Sequence, residues 1–189
     1  MQNTKSDITK NILAGSLKKL LEEKSLNKIS IKEIVSDSGL NRQTFYYHFN
    51  DIYDLLDWIF KNEFLSIFNN YEGEKLWQEG LKEFLYYIEE NKIRCQNVIG
   101  HLSHDSMIRV FYKDISNLVI KAIDKISEGY EIDANYRTQL IQYFSISFSG
   151  IIEQWTTENI SQTIDELVEF LNIIIKDQMR GTEMRLNKK

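Results

Sequence analysis

An all-α fold is predicted for this chain on three observations. No proline occurs in its 189 residues and only eight glycines do, so little in the chain interrupts a helix. Apolar residues recur at three- and four-residue steps along most of the length, the repeat of helices with one buried face. The breaks between these stretches carry helix punctuation: Ser, Asn or Asp where a first turn needs a cap, and Gly where a last turn needs a positive backbone angle. About nine helices are expected on this pattern.

In the first, Thr4 to Lys24, an inner face is drawn by Ile8, Ile12, Leu13, Leu17, Leu20 and Leu21, with lysines opposite. Ser25 to Ile29 reads as a connecting loop. Ser30 followed by Glu33 spells a capping box, in which the hydroxyl takes a free backbone N–H and the carboxylate reaches back to the cap. That starts a second helix with Ile31, Ile34 and Val35 inside, and Gly39 ends it with a sharp reversal. Asn41 caps a third, on which Phe45 and Phe49 face inward. Asp51 caps a fourth, whose apolar positions Leu55, Leu56, Ile59, Phe60, Phe64, Ile67 and Phe68 run to about Asn70.

Tyr71 to Glu74 interrupts the pattern and reads as a boundary. A fifth helix follows on Leu76, Trp77, Leu81, Phe84, Leu85 and Ile88, and a sixth spans Ile93 to His101. A seventh is capped by Ser103 or Asp105 and carries Ile108, Phe111, Tyr112, Ile115, Leu118, Val119, Ala122, Ile123 and Ile126 before Gly129 stops it. The last two helices hold apolar seams, Leu140, Phe144, Phe148, Ile151, Ile152 and Trp155 between Ala134 and Glu158, then Ile164, Leu167, Val168, Leu171, Ile174 and Ile175 between Thr163 and Met179. Their hydrophobic arcs are wide enough for more than one buried side. Two such helices from each of two copies would make a four-helix bundle across a two-fold axis. Phe144, Phe148, Ile151, Ile152, Trp155, Leu167, Leu171, Ile174 and Ile175 are the candidate interface, and Gly181 to Lys189 is expected to fray.

The stretch from Ser30 to Phe49 is the most informative, because two short helices joined by a tight turn make a helix-turn-helix. The first turn of its second helix carries Arg42 and Gln43, whose donor forks can pair with guanine and adenine edges in a major groove. Thr44, Tyr46, Tyr47 and His48 bring hydroxyl or imidazole groups suited to phosphate oxygens. Adjacent Tyr46 and Tyr47 lie about 100° apart on a helix, so one apolar stripe cannot centre on both. The net charge of −5 looks wrong for a nucleic-acid binder until it is divided. Residues 1–50 hold eight Lys or Arg against five Asp or Glu, while the remainder holds 15 against 23. A basic head on an acidic body allows local attraction to phosphate, and its modest charge calls for two heads acting together.

The run GLNRQTFYYHF, followed by DIYDLL at Asp51 to Leu56, resembles the DNA-binding domain of TetR-type bacterial transcriptional regulators. The resemblance covers roughly the first third of the chain. It implies a homodimer that binds a palindromic operator in double-stranded DNA, an N-terminal domain at 1–50 with its motif at 30–49, a connecting helix at 51–70, and an effector and dimerisation domain at 71–180. By that resemblance Arg42, Gln43, Thr44, Tyr46, Tyr47 and His48 fall on DNA-contacting positions. These regulators often carry a Lys at the start of the next helix, where this chain has Ile52. The missing phosphate contact is then to be supplied elsewhere, with Lys28 or Lys32 as candidates. A narrower resemblance, on the YYHFNDIYDLLDWIF run and the GIIEQW segment at Gly150 to Trp155, is to TetR-type activators of dihydroxyacetone-kinase operons. It implies a kinase-like co-activator protein as partner, where a small-molecule effector is the other possibility.

Other chemistry finds less support. Trp77, Tyr86, Tyr87, Phe111, Tyr112 and Tyr143 are candidates to line an effector pocket, though each is equally a plain core aromatic. His101 and His104 beside Asp105 lack the further ligands a metal site needs, and no phosphate loop or nucleophile motif is present, so neither a metal, a cofactor nor an enzyme is expected. The single Cys95, with no signal peptide or long apolar run, suits a cytoplasmic protein. The competing reading of the whole is an interaction adaptor whose helix-turn-helix binds protein.

Overall fold

A computed structural model describes residues 5–68, 76–101, 112–128 and 131–186, leaving out the side chains of 64–68, 76, 113 and 114. Among the described residues there are nine α-helices, one 3-10 turn and no strand. The helices are α1 Lys5–Glu23, α2 Ile31–Asp37, α3 Arg42–His48, α4 Ile52–Phe68, α5 Leu76–Glu90, α6 Lys92–Ile99, α7 Lys113–Ile126, α8 Ala134–Thr156 and α9 Ile164–Leu186. They divide into two compact units, residues 1–66 with 91–110, and residues 67–90 with 111–189. This partition cuts across chain order, for α6 is grouped with α1 to α3, whereas sequence alone placed it with the body.

In the first unit, α1 buries Leu13, Ala14, Leu17 and Leu21 against Ile34, Val35 and Phe45. Ile8 and Ile12, assigned to the same face by their spacing, are instead 49% and 43% exposed. The buried residues of α1 fall between Leu13 and Leu21, and α1 packs on α2, α3 and α6. Polar ties fix the packing. The Ser16 hydroxyl donates to the Ile34 carbonyl at 2.9 Å, Lys19 pairs with Asp37 and Lys24 with Glu33. On α6, Asn97 donates its side-chain N–H to the Leu21 carbonyl at 2.8 Å. The expected loop at 25–29 contains the 3-10 turn Leu26–Lys28, pinned because Leu26 and Ile29 are both buried.

In the second unit, α7 lies along α8, and α5 and α9 both pack on α7 and on each other. Small hydroxyls line the α7 and α8 contact. Ser116 donates to the Ser145 hydroxyl at 3.0 Å, Ser145 to the Ile141 carbonyl at 2.6 Å and Ser149 to the Ser145 carbonyl at 2.7 Å. Side chains this short let two helices approach closely, and their hydrogen bonds offset the cost of burying them. Thr163 and Glu166 form a second capping box at the start of α9, each accepting the other's backbone N–H.

The tail expected to fray from Gly181 is helical to Leu186. Its last turns are anchored because the Tyr136 hydroxyl on α8 gathers Gln178 at 3.0 Å, Thr182 at 3.5 Å and the Arg185 guanidinium, which also lies over the Tyr136 ring. The assigned caps Ser103 and Asp105, with Ile108, Phe111 and the stop at Gly129, lie outside the described residues.

The ordinary Glu carboxyl near 4.5 is held down to about 2 at Glu33, first by Lys24 and then by the backbone and hydroxyl of Ser30. Unfolding restores the ordinary value, so this contribution is present above about pH 4.5 and is lost as pH falls towards 2. Replacing Glu33 with Gln should therefore lower stability at neutral pH and flatten its fall between those limits, read by urea denaturation at several pH values.

Candidate nucleic-acid interface

The capping box read from Ser30 and Glu33 is present: Glu33 Oε2 accepts the Ser30 N–H at 2.9 Å, and the Ser30 hydroxyl accepts the Glu33 N–H at 3.4 Å. α2 then ends at Gly39, whose φ of +67° is a region that side-chain-bearing residues rarely adopt. Asn41 caps α3, its Oδ1 accepting the Thr44 N–H at 2.8 Å. The turn thus depends on one backbone angle and two caps, all specified locally.

What α3 presents follows from its roll. Phe45 is fully buried and Phe49 nearly so, and the Phe49 ring packs on Trp58 of α4 at 6.0 Å. With Phe45 taken as the inward direction, about 100° per residue puts Gln43 and Tyr47 on the opposite side. Arg42 and Tyr46 fall on one flank, Thr44 and His48 on the other. Exposure agrees, for Arg42, Gln43, Tyr46 and Tyr47 are exposed and Thr44 and His48 are half-buried. Tyr47, at 83%, is the most exposed large apolar side chain among the described residues, and its ring meets His48 edge-on at 4.9 Å. Tyr46 sets its ring edge against Phe45 at 5.7 Å. The Thr44 hydroxyl donates to Asn41 Oδ1 at 3.1 Å, so both its proton and its amide are committed to the cap.

Lys28 and Lys32 are both exposed. After α3 the chain turns acidic. Asp51 caps α4 as its sequence suggested, accepting the Asp54 N–H at 2.7 Å, while Asp54 accepts the backbone and side-chain N–H groups of Asn50 at 2.9 Å. Two carboxylates therefore occupy the helix end at which Ile52 stands in place of a cation.

The other candidates disperse. Of the six proposed pocket aromatics, Trp77 is buried, Tyr87 and Tyr112 are half-buried, and Tyr86 and Tyr143 are 47% and 60% exposed; Phe111 lies outside the described residues. Trp77 borders an apolar gap of about 10 Å³ with Leu81, Ile115, Leu118, Val119, Ala122, Phe148 and Ile152, and none of Tyr86, Tyr87, Tyr112 and Tyr143 lines it. That volume is about one water's worth. Of the proposed dimer residues, Phe144, Phe148, Ile152, Leu167, Leu171 and Ile175 are buried in the chain's own core, because each helix turns its strongest apolar stripe inward. Ile151, Trp155 and Ile174 retain accessible surface. Exposed apolar residues that spacing did not single out include Ile146 on α8, with Phe170, Ile173 and Met184 on α9. His101 is exposed after α6, and His104 and Asp105 lie outside the described residues. Burial pushes the Cys95 thiol up to about 12, which keeps it protonated. No described helix is long and apolar enough to cross a membrane.

Two family models match the chain. Residues 13–59 match the bacterial regulatory proteins of the tetR family, and residues 75–177 match a transcriptional regulator C-terminal region. A curated relative, the HTH-type dhaKLM operon transcriptional activator DhaS of Lactococcus lactis subsp. lactis (strain IL1403), is 36% identical over 94 residues, and that match spans 50% of each chain. The solved structure of a dihydroxyacetone kinase operon activator DhaS is similar with a TM-score of 0.68 at 24% identity, covering 92% of this chain and 97% of that one. A TetR transcriptional regulator from Streptococcus agalactiae 2603V gives 0.66 at 20% identity, covering 90% and 94%. At these identities the two structures show the fold.

Gly39→Ala should destabilise the first unit by about 1–2 kcal/mol, the cost of a left-handed backbone angle on a residue with a Cβ. No neighbouring atom lies within 4 Å of that added carbon, so the loss is conformational alone. Thermal denaturation reads it, and an unchanged melting temperature would mean that the turn is not held at this angle.

Proposed function

Since this chain belongs to the tetR family of bacterial regulatory proteins, we propose that it binds an inverted-repeat DNA site as a homodimer and activates genes for dihydroxyacetone kinase. The observation that carries DNA binding is the outward side of α3, where Arg42 and Gln43 stand exposed in the first turn and Tyr46 and Tyr47 follow. Arg42 and Gln43 read base edges, while the hydroxyls of Tyr46 and Tyr47 and the ring N–H of His48 hold phosphates. Two such helices dock together when their half-sites lie about 34 Å apart along B-DNA, or a multiple of that.

Dimerisation is supported by the apolar surface left outside the core of the second unit. Tyr143 and Ile146 on α8, with Phe170, Ile173 and Ile174 on α9, are 39–62% exposed. Large apolar side chains presented at helical spacing favour burial against a second copy. The role in dihydroxyacetone-kinase regulation rests on the relative named as an activator of the dhaKLM operon, of which the match covers half the length. In this reading the second unit takes the regulatory input, a small molecule or a kinase-like co-activator protein.

Selection of bound sequences from random duplex DNA tests the reading, and recovery of an inverted repeat upstream of kinase genes is the expected result. Arg42→Ala should cost about 1–3 kcal/mol on the selected site and far less on random duplex, whereas Tyr46→Phe should weaken both alike. Were Arg42→Ala to leave binding unchanged, the helix-turn-helix would serve a protein partner instead. Ile173→Asp should convert the dimer to monomer in sedimentation velocity, with the helical content retained.

A further inference from the structure

On the reading that this chain forms a homodimer, we propose that α9 pairs antiparallel with α9 of a second copy, across a two-fold axis between Asp177 and Arg180, and that two exchanged Asp177–Arg180 ion pairs make the chain select itself. The face of α9 turned away from the core carries the pattern. At about 100° per residue, Ile173, Asp177, Arg180 and Met184 fall within an arc of about 60°. They lie opposite the stripe that buries Leu171, Ile175, Met179 and Thr182. Ile173 and Met184 are 46% and 63% exposed, and the side chains of Asp177 and Arg180 are 66% and 75% exposed. Water is an unfavourable surrounding for the two apolar ends of this run, and the charges between them make only a loose pair within the chain, 3.9 Å apart.

Order along the face identifies the occupant. Read in either direction it runs apolar, charged, charged, apolar, with the two charges of opposite sign. Two copies laid antiparallel about an axis midway between Asp177 and Arg180 therefore set Ile173 on Met184 and Asp177 on Arg180, twice each, as an isologous contact requires. A parallel pairing in register would set acid on acid and base on base. The flanks repeat the match. Lys176 and Glu183 stand exposed along one side of the face, and the antiparallel pairing brings each to the other across the axis. Along the other side stand Ile174, 39% exposed, and Gly181.

Gly181 supplies an independent sign. A helix interior disfavours glycine, and a Cβ at this position would meet nothing within 4 Å among the described residues, so the chain's own packing does not require one. In the antiparallel pairing Gly181 lies across from Ile174 of the second copy, whose branched side chain takes the space that glycine leaves. The backbone carrying these positions is fixed beforehand. Tyr136 holds Gln178, Thr182 and Arg185, all on the half of the helix away from this face, so Arg180, Gly181 and Met184 are presented on a formed helix with little ordering left to do.

Charge exchange in the full chain tests the pairing, with sedimentation velocity reading the dimer and circular dichroism the helix content. Asp177→Arg sets arginine against arginine across the axis, and Arg180→Asp sets aspartate against aspartate. Each should raise the dimer dissociation constant about a hundredfold with helix content kept. An equal mixture of the two variants should recover the dimer, because every arginine then meets an aspartate of the other copy. The double exchange, Asp177→Arg with Arg180→Asp, should dimerise with itself and not with the unmodified chain. If the two residues served only a pair within one chain, neither the recovery on mixing nor that selectivity would occur. Failure of the mixture to recover, or single variants that dimerise as the unmodified chain does, overturns the pairing, while a dimer in the unmodified chain keeps the homodimer reading standing. An unmodified chain that stays monomeric at all concentrations overturns both.

Discussion

The burial of Phe45 is the constraint on which the head depends. A seven-residue helix has almost no stability of its own and is held by what it packs against. Phe45 supplies that contact, fully enclosed beneath α1 and α2, and Phe49 extends it to Trp58 on α4. One buried ring fixes the roll of the helix, and the roll decides that Gln43 and Tyr47 point away from the protein with Arg42 and Tyr46 beside them. Which side chains α3 turns outward is therefore a by-product of core packing. A helix of this length with two competing apolar faces would have no defined outward side.

Electrostatics sharpen the same geometry by subtraction. Composition gives the first fifty residues a small positive balance, but the charge that matters to a partner is what remains after internal pairing. Lys18, Lys19 and Lys24 are used to tie α1 to α2 and to α4. Exposed pairs of this kind add little stability, since solvent screens them. Their consequence lies in what they withdraw from the surface, since Lys28, Lys32 and Arg42 are exposed while Lys18, Lys19 and Lys24 are paired with carboxylates.

The second unit shows why an apolar seam is an ambiguous sign. Each of α8 and α9 carries apolar residues over an arc wider than one partner can cover. The strongest stripes, Phe144, Phe148 and Ile152 on α8 and Leu167, Leu171 and Ile175 on α9, went to the chain's own core. The weaker flanks, with Tyr143, Ile146, Phe170, Ile173 and Ile174, stay accessible. The interface proposed for a second copy therefore moves to those neighbouring positions.

Sequence by itself determined the elements. Proline absence, the three- and four-residue apolar repeat, and the caps Ser30 with Glu33, Gly39, Asn41 and Asp51 are local signals, each acting within a turn or two of backbone, and α2, α3 and the start of α4 stand where those caps put them. The helix-turn-helix was legible for the same reason. Tertiary structure alone decided which apolar residues are inside. Ile8 and Ile12 fit the repeat of α1 yet stay 49% and 43% exposed, and the frayed end expected after Gly181 is helical because Tyr136, 42 to 49 residues earlier, binds Gln178, Thr182 and Arg185. Such outcomes depend on pairs distant in the chain, and spacing along one helix carries no information about what lies across from it.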